Sequence, residues 1–173
     1  MKTKPLTDEQ WPLVMAAIDC PKIKLLFYLG IKTGLRVSEL LSIKAWQLDS
    51  DVLNIERKNV KGKRASRSLY LNSNTQKMII ELKNNIPKSN CEYLFPCSRF
   101  HIYRELKNAA KKAGINCNLG THGMRKTFAK KVYELSSKDL LLTKIALGHV
   151  SINSTIQYLE LENERLNSVL GML

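Results

Sequence analysis

Apolar residues recur every three or four positions through the first quarter of the chain, which predicts three helices in succession. Thr7-Asp-Glu-Gln10 has the form of a capping box, so the first helix is expected from Thr7 to about Asp19. Pro21 suits the first turn of a second helix, and Gly34 suits the left-handed position that would end it. A third helix is expected from Arg36 to Ile43.

The hydrophobic period changes to two between Trp46 and Leu71, which predicts a β-hairpin. Short alternating runs of strand-forming residues occur at Val52 to Ile55 and at Ser66 to Leu71. The segment between them, Asn59 to Arg64, contains a glycine and several cations. We therefore expect a small antiparallel sheet with a basic hairpin tip.

Helical periodicity returns after the hairpin. Tyr93 to Pro96 is expected to be a buried extended segment. The remaining predicted helices cover residues 73–84, 98–113, 121–135 and 139–147, and a last one begins at Ser151 and carries Tyr158. Ser98, Thr121 and Ser151 are the expected N-caps. The whole pattern predicts one mainly helical α+β domain of 173 residues.

The charge of the chain predicts an acidic partner. The chain has 28 Lys and Arg against 15 Asp and Glu, a net charge of +13. The cations cluster at Arg57 to Arg67, Arg99 to Lys112 and Arg125 to Lys131, which favours a groove along a polyphosphate backbone over an evenly solvated basic surface. A membrane partner is not expected, because no amphipathic helix pairs a basic face with a broad aromatic one.

Cysteine and signal patterns add little chemistry. The cysteines, Cys20, Cys91, Cys97 and Cys117, show no CxxC spacing, so we expect reduced structural thiols and no metal site. The N-terminus, MKTKPLTDEQ, has no apolar signal region, and the longest apolar run, Leu25 to Ile31, is too short to cross a bilayer. The expected location is the cytoplasm.

Two helix starts carry residues that could bind a phosphate group. His122 and Arg125 are three positions apart, in the first turn of a helix where free N–H groups favour an anion. Arg36 and Glu39 have the same spacing, and an acid can hold a guanidinium fork in one orientation. The alternatives are an ordinary capped helix with a surface arginine and a surface ion pair that contributes little.

Three further residues are candidates in context. His149 follows Gly148 at a break between helices, Tyr158 lies on the last predicted helix, and Lys61 lies at the hairpin tip. Taken singly, a structural histidine, a packing tyrosine and a solvated lysine are the alternatives.

The order of these features resembles the tyrosine recombinase (phage integrase) family. The matching motifs are Thr33-Gly-Leu-Arg-Val-Ser-Glu-Leu40, the basic hairpin with Lys61-Gly62, His122-Gly-Met-Arg125, Leu147-Gly-His-Val-Ser-Ile152, and Tyr158 nine positions after His149. The resemblance implies a mainly helical catalytic domain with a small antiparallel three-stranded sheet. It also implies DNA cleavage and rejoining without a metal or other cofactor.

The resemblance assigns a role to each motif residue. Arg36 and Arg125 would bind the scissile phosphate, and Tyr158 would attack it to leave a 3′-phosphotyrosyl intermediate and a free 5′ hydroxyl. His122 would help to take up the tyrosine proton. Further implied roles are a hydrogen bond from His149 to the phosphate or nucleophile, protonation of the leaving oxygen by Lys61 or, failing that, Lys63, and support of the first arginine by Glu39.

DNA contacts are also implied. The helix from Ser98 would lie in the major groove through Arg99, Arg104, Lys107 and Lys111, and the hairpin tip with Lys63 and Arg64 would approach the minor groove. Lys126, another expected DNA contact, stands where many members carry histidine.

Two points concern the wider assembly. The resemblance implies self-association on double-stranded DNA, with a tetramer in the synaptic complex, a monomer or weak oligomer without DNA, and accessory DNA-bending proteins as further partners. The separate helical domain that usually precedes the catalytic one is expected to be absent, and the apolar tail from Glu162 to Leu173 would pack on its own domain or on a neighbour. Alternative functions are a type IB topoisomerase, a telomere resolvase, or a non-catalytic DNA-binding regulator.

Overall fold

The computed structural model describes residues 3–58, 64–87 and 91–159. Its elements in chain order are α1 Gln10–Ala16, α2 Pro21–Thr33, α3 Val37–Leu41, a 3-10 turn Ala45–Leu48, β1 Val52–Lys58, β2 Arg64–Tyr70, α4 Ser73–Asn84, α5 Arg99–Lys112, α6 Thr121–Leu135, α7 Leu140–Leu147 and α8 Ile152–Leu159. The predicted hairpin tip with Lys61 and Lys63, and the tail from Glu162 to Leu173, lie outside the described residues.

Helix α2 forms the centre of the core. It packs against α4 on one side and α6 on the other, and nine of its residues are buried. The middle of this helix, residues 25–31, is apolar and buried on every side, which explains its central position. Its end is fixed as the sequence predicts, because Gly34 has a φ of 62° and closes the last turn through its N–H.

Strands β1 and β2 pair antiparallel, with Val52 opposite Tyr70 and Ile55 opposite Arg67. Leu53 and Ile55 are buried, whereas Asn54 and Ser68 on the other face are exposed. The prediction of a mainly helical domain with a small antiparallel sheet is confirmed. Within the described ranges the sheet has two strands, where the family resemblance implied three.

Two helices are shorter than the sequence predicts, since α1 ends at Ala16 and not near Asp19, and α3 ends at Leu41 and not at Ile43. Thr7 and Gln10 exchange the two hydrogen bonds of a capping box, at 3.1 and 3.2 Å, but the helix itself begins at Gln10. Thr121 is not the N-cap of α6. Gly120 takes that position with an extended backbone, and Thr121 is the first helical residue. His122 and Arg125 consequently keep their places in and just after the first turn.

Two further features bear on partners. Of the residues described, none belongs to a helix that is both long and apolar enough to span a bilayer. The basic residues Arg99, Arg104, Lys107 and Lys111 of α5 are all exposed, whereas Ile102 and Leu106 on its other face are buried. The cations of α5 therefore form one solvent-facing stripe.

Candidate active site

Arg125 lies at the meeting point of three helices. Its side chain is only 2% exposed. One terminal nitrogen donates to the carbonyl of Gly34, at the end of α2, and the other donates to the carbonyl of Leu147, at the end of α7, over 2.7 Å. The final carbonyl groups of a helix have no partner within the helix, and a cation also complements the helix dipole there. Arg125 thus fixes both helix ends around itself.

Arg36 stands at the start of α3, close to this point. Its N–H donates to Glu39 Oε2 over 2.6 Å, and its guanidinium lies 3.4 Å from Glu39 Oε1. The carboxylate is nearly buried, whereas the Arg36 side chain is 44% exposed. Glu39 therefore contacts a guanidinium that still faces solvent.

Tyr158 reaches this cluster from α8. Its hydroxyl donates to the carbonyl of His122 over 3.2 Å. Its ring meets the edge of the His149 imidazole, with centroids 5.5 Å apart and planes at 81°. The ammonium of Lys126 lies 5.9 Å from the ring centroid. The phenol is therefore held in a defined place on its own chain.

His149 is positioned by the turn that follows α7. Gly148 has a φ of 61°, which lets the chain reverse directly before the histidine. The imidazole Nδ1 lies 3.1 Å from Thr155 Oγ1, and Thr155 is fully buried. A buried hydroxyl at this distance fixes the tilt of the ring towards Tyr158.

The cluster shifts the titration of its two central groups. Burial, and secondarily the charge of Arg36, lowers the pKa of Arg125 to about 10. Burial raises the pKa of Tyr158 to about 12, although the charges of Arg125 and Arg36 oppose this rise. The phenol is therefore protonated at neutral pH, and an attack by its oxygen needs a base or a change in its surroundings.

The remaining predicted site residues are distributed more widely. The His122 imidazole is exposed. This residue meets the cluster through its backbone carbonyl, which accepts the hydrogen bond from the Tyr158 hydroxyl. The α5 cations are exposed and lie on a helix that carries no member of the cluster of Arg36, Arg125, His149 and Tyr158. Arg64 is the first residue of β2.

Sequence reasoning missed three supporting residues. Gly34 supplies a carbonyl to Arg125, Thr155 contacts His149, and Arg67 donates to the carbonyl of Ala146 in α7. The position of Arg67 could have been predicted from the sequence. Strand alternation places Arg67 on the same face as Leu53, Ile55 and Leu69, where a cation is unexpected.

Two guanidinium groups beside a fixed phenol can bind an oxyanion next to a group that is capable of nucleophilic attack. Similarity to known proteins shows the family to which the chain belongs. The model of the phage integrase family matches residues 4–165. A probable integrase/recombinase, YoeC of Bacillus subtilis, is 32% identical over 80% of this chain and 77% of its own length. The chain belongs to the phage integrase family, the tyrosine recombinases, which cleave and rejoin DNA by transesterification through a tyrosine.

Longer relatives show the same similarity over part of their length. Tyrosine recombinase XerH of Campylobacter jejuni is 31% identical over 83% of this chain, which spans 42% of that protein. In structure, a XerH site-specific recombinase bound to a palindromic difH substrate, a post-cleavage complex, superposes with a TM-score of 0.70. That match is 22% identical and covers 97% of this chain and 52% of the other, so it supports the fold.

Proposed function

We propose that this chain is the catalytic domain of a site-specific DNA recombinase, in which Tyr158 is the nucleophile. The carrying observation is that the Tyr158 side chain lies against His149 while the charges of Arg36 and Arg125 both act on its hydroxyl. Three separate stretches of the chain contribute to this arrangement, with Arg36, with Arg125, and with His149 and Tyr158 together. No packing requirement calls for such a combination of two cations, an imidazole and a phenol.

In this proposal the reaction is a transesterification. The Tyr158 oxygen forms a bond to phosphorus as the bond from phosphorus to the 5′ oxygen breaks, which leaves a 3′-phosphotyrosyl link and a 5′ hydroxyl. Arg125 and Arg36 balance the charge that develops on the non-bridging oxygens. Arg125 is held rigidly by two carbonyl groups, and Arg36 is held by Glu39 at the solvent-facing side.

Proton transfer is the second requirement, because the phenol is neutral in the DNA-free protein. His122 is the proposed acceptor of the tyrosine proton, and its carbonyl already receives the Tyr158 hydroxyl. His149 is the proposed hydrogen-bond donor to the phosphate or the nucleophile. Lys61, or Lys63 in its place, is the proposed donor to the leaving 5′ oxygen.

The proposed partner is double-stranded DNA, on which several copies assemble. The exposed stripe Arg99, Arg104, Lys107 and Lys111 supports this, because aligned cations on one helix face suit a phosphate backbone. Lys126, Lys63 and Arg64 are proposed as further contacts. The DNA complex of XerH is consistent with such a partner. We place the reaction in the cytoplasm, at the host chromosome.

A suicide-substrate assay tests the proposal. Nicked DNA from the host element should trap a covalent adduct with the wild-type chain and none with Tyr158→Phe. Tyr93→Phe, which alters an exposed tyrosine away from the cluster, is the matched control and should form the adduct at the wild-type rate. Equal adduct in the wild type and Tyr158→Phe would refute the assignment.

A supercoil-relaxation assay separates the recombinase from the topoisomerase alternative. Joining of two defined sites is expected of a recombinase. Relaxation of any plasmid without site-specific joining would favour a type IB topoisomerase.

A further inference from the structure

The C-terminal end of α7 is completed by two arginines from elsewhere in the fold. The N–H groups of Gly148 and His149 satisfy the carbonyls of Lys144 and Ile145. The next two carbonyls, of Ala146 and Leu147, would remain without a donor from the helix. Arg67 donates to the first of them and Arg125 to the second. All four terminal carbonyls of α7 are therefore occupied.

Arg67 reaches this point from the sheet. It pairs across the hairpin with Ile55, which is only 2% exposed, so its side chain leaves the inward face of β2. An apolar residue would be usual at such a position, as Leu69 is two residues later. The arginine instead crosses to α7, and its contact joins residues 79 apart in sequence. Its charge also acts on Arg125, so the two guanidinium groups are neighbours.

The C-terminal end of α7, which Arg67 contacts, leads directly into the candidate active site. Only Leu147 and Gly148 separate the Ala146 carbonyl from His149, whose ring touches that of Tyr158. A guanidinium presents its donors in a fixed plane, so it restrains the direction of a carbonyl more tightly than an ammonium does. We propose that Arg67 is a positioning residue, which sets the placement of His149 against Tyr158 by anchoring the end of α7 to the hairpin.

This inference rests on the proposed function and extends it. Arg67 lies on the strand that follows the predicted tip residue Lys61. One hairpin would then serve both sides of the reaction, with the leaving-group proton donor at its tip and the anchor of His149 on its second strand. Neither the basic cluster in the sequence nor the list of family motif residues distinguishes Arg67 from the cations expected to contact DNA.

The first test needs no DNA. The chain has three histidines, His101, His122 and His149, so their imidazole C–H resonances are readily assigned by NMR. In Arg67→Gln the His149 resonance should move, whereas that of His101 on α5 should stay in place and serve as the internal reference. Arg67→Lys, which keeps one donor for the Ala146 carbonyl, should shift the His149 resonance less. An unmoved His149 resonance in both variants would overturn the proposal.

The second test follows cleavage of the nicked suicide substrate at saturating DNA. Arg67→Gln should cleave about 10- to 100-fold more slowly, because small misplacements of a reacting group cost about that much. Arg67→Lys should lose less, and DNA affinity should stay within about twofold in both, since a residue that only positions His149 does not contribute to binding. Lys77→Gln, which removes one exposed charge on α4, is the charge-matched control.

A double-variant comparison separates positioning from general damage. If Arg67 acts through His149, then Arg67→Gln adds less than about twofold to the defect of His149→Ala. A further fall of about tenfold or more in the double variant would show that Arg67 acts independently and would refute the proposal. Failure of the wild type to form any adduct would instead count against the recombinase function, while the NMR comparison would still test the contact.

Discussion

The neighbouring guanidinium groups of Arg36 and Arg125 lead us to predict that a tetrahedral dianion stabilises this fold. Removal of Arg36 should then lower its stability in sulfate and leave it unchanged in chloride. Burial and the Arg36 charge lower the pKa of Arg125 to about 10. One pKa unit corresponds to about 1.4 kcal/mol, so the charged form of Arg125 carries a penalty of about 3 kcal/mol, to which Arg36 contributes part. A bound sulfate would offset that penalty, as the scissile phosphate is proposed to do.

The perturbation is Arg36→Gln, measured by thermal unfolding in sodium chloride and in sodium sulfate at equal ionic strength. In chloride the variant loses an ion pair that is partly exposed, worth less than about 1 kcal/mol, and gains relief of repulsion with Arg125. The two effects are opposite and similar in size. We therefore expect the variant to be as stable as the wild type in chloride.

In sulfate the variant should become the less stable of the two proteins. At about ten times the dissociation constant, an anion that binds only the folded state adds about 1.4 kcal/mol. For a domain of this size that corresponds to a rise in Tm of about 3–6 °C. Arg36→Gln should show less than half of this rise. Lys77→Gln, which loses a charge remote from the site, reports the general stabilising effect of sulfate on any protein surface. Equal sulfate increments in all three proteins would refute the reasoning.

Three other predictions use the same site. Burial raises the pKa of Tyr158 to about 12, so between about pH 10 and 12 the folded state keeps a proton that the unfolded state loses. Urea unfolding should therefore show stability falling more steeply above pH 10 in the wild type than in Tyr158→Phe. Gly34 has a φ of 62°, and a Cβ added there would lie 2.2 Å from the Phe128 ring. Gly114 has a similar φ of 69° but open space around it, so Gly114→Ala should cost about 1 kcal/mol. Gly34→Ala should lose at least twice as much stability as Gly114→Ala. Thr155→Val removes the hydroxyl 3.1 Å from His149 Nδ1 and should slow DNA cleavage about tenfold, whereas Thr155→Ser should not.

Local signals in the sequence predicted local structure well. Pro21 and Gly34 define both ends of α2 because each acts through its own backbone geometry. The predicted N-cap of α6 was wrong, because local preference did not decide it. Thr121 has a suitable side chain, but Gly120 takes the extended conformation in a buried position, with Thr3 and Tyr103 packed around it. Tertiary packing therefore decided between two adjacent residues that sequence preference ranked in the other order.

The site was predictable as a set of residues and less so as an arrangement. The family motif order placed Arg36, Arg125, His149 and Tyr158 in one site, and the structure brings them together. Their supports could not be deduced in the same way. Arg125 binds carbonyls 91 and 22 residues away, and a carbonyl acceptor leaves no mark on residue identity.

The two phosphate-binding candidates are physically unequal, and this difference explains how the site can exist before DNA arrives. Arg125 is enclosed and spends two donors on helix ends, so the fold fixes its position at the cost of a lowered pKa. Arg36 is half exposed and depends on one carboxylate for its direction. Substitution of Arg125 should therefore disturb the packing of α2, α6 and α7 together with cleavage. Substitution of Arg36 should remove cleavage from an otherwise intact fold, which makes it the cleaner probe of phosphate binding.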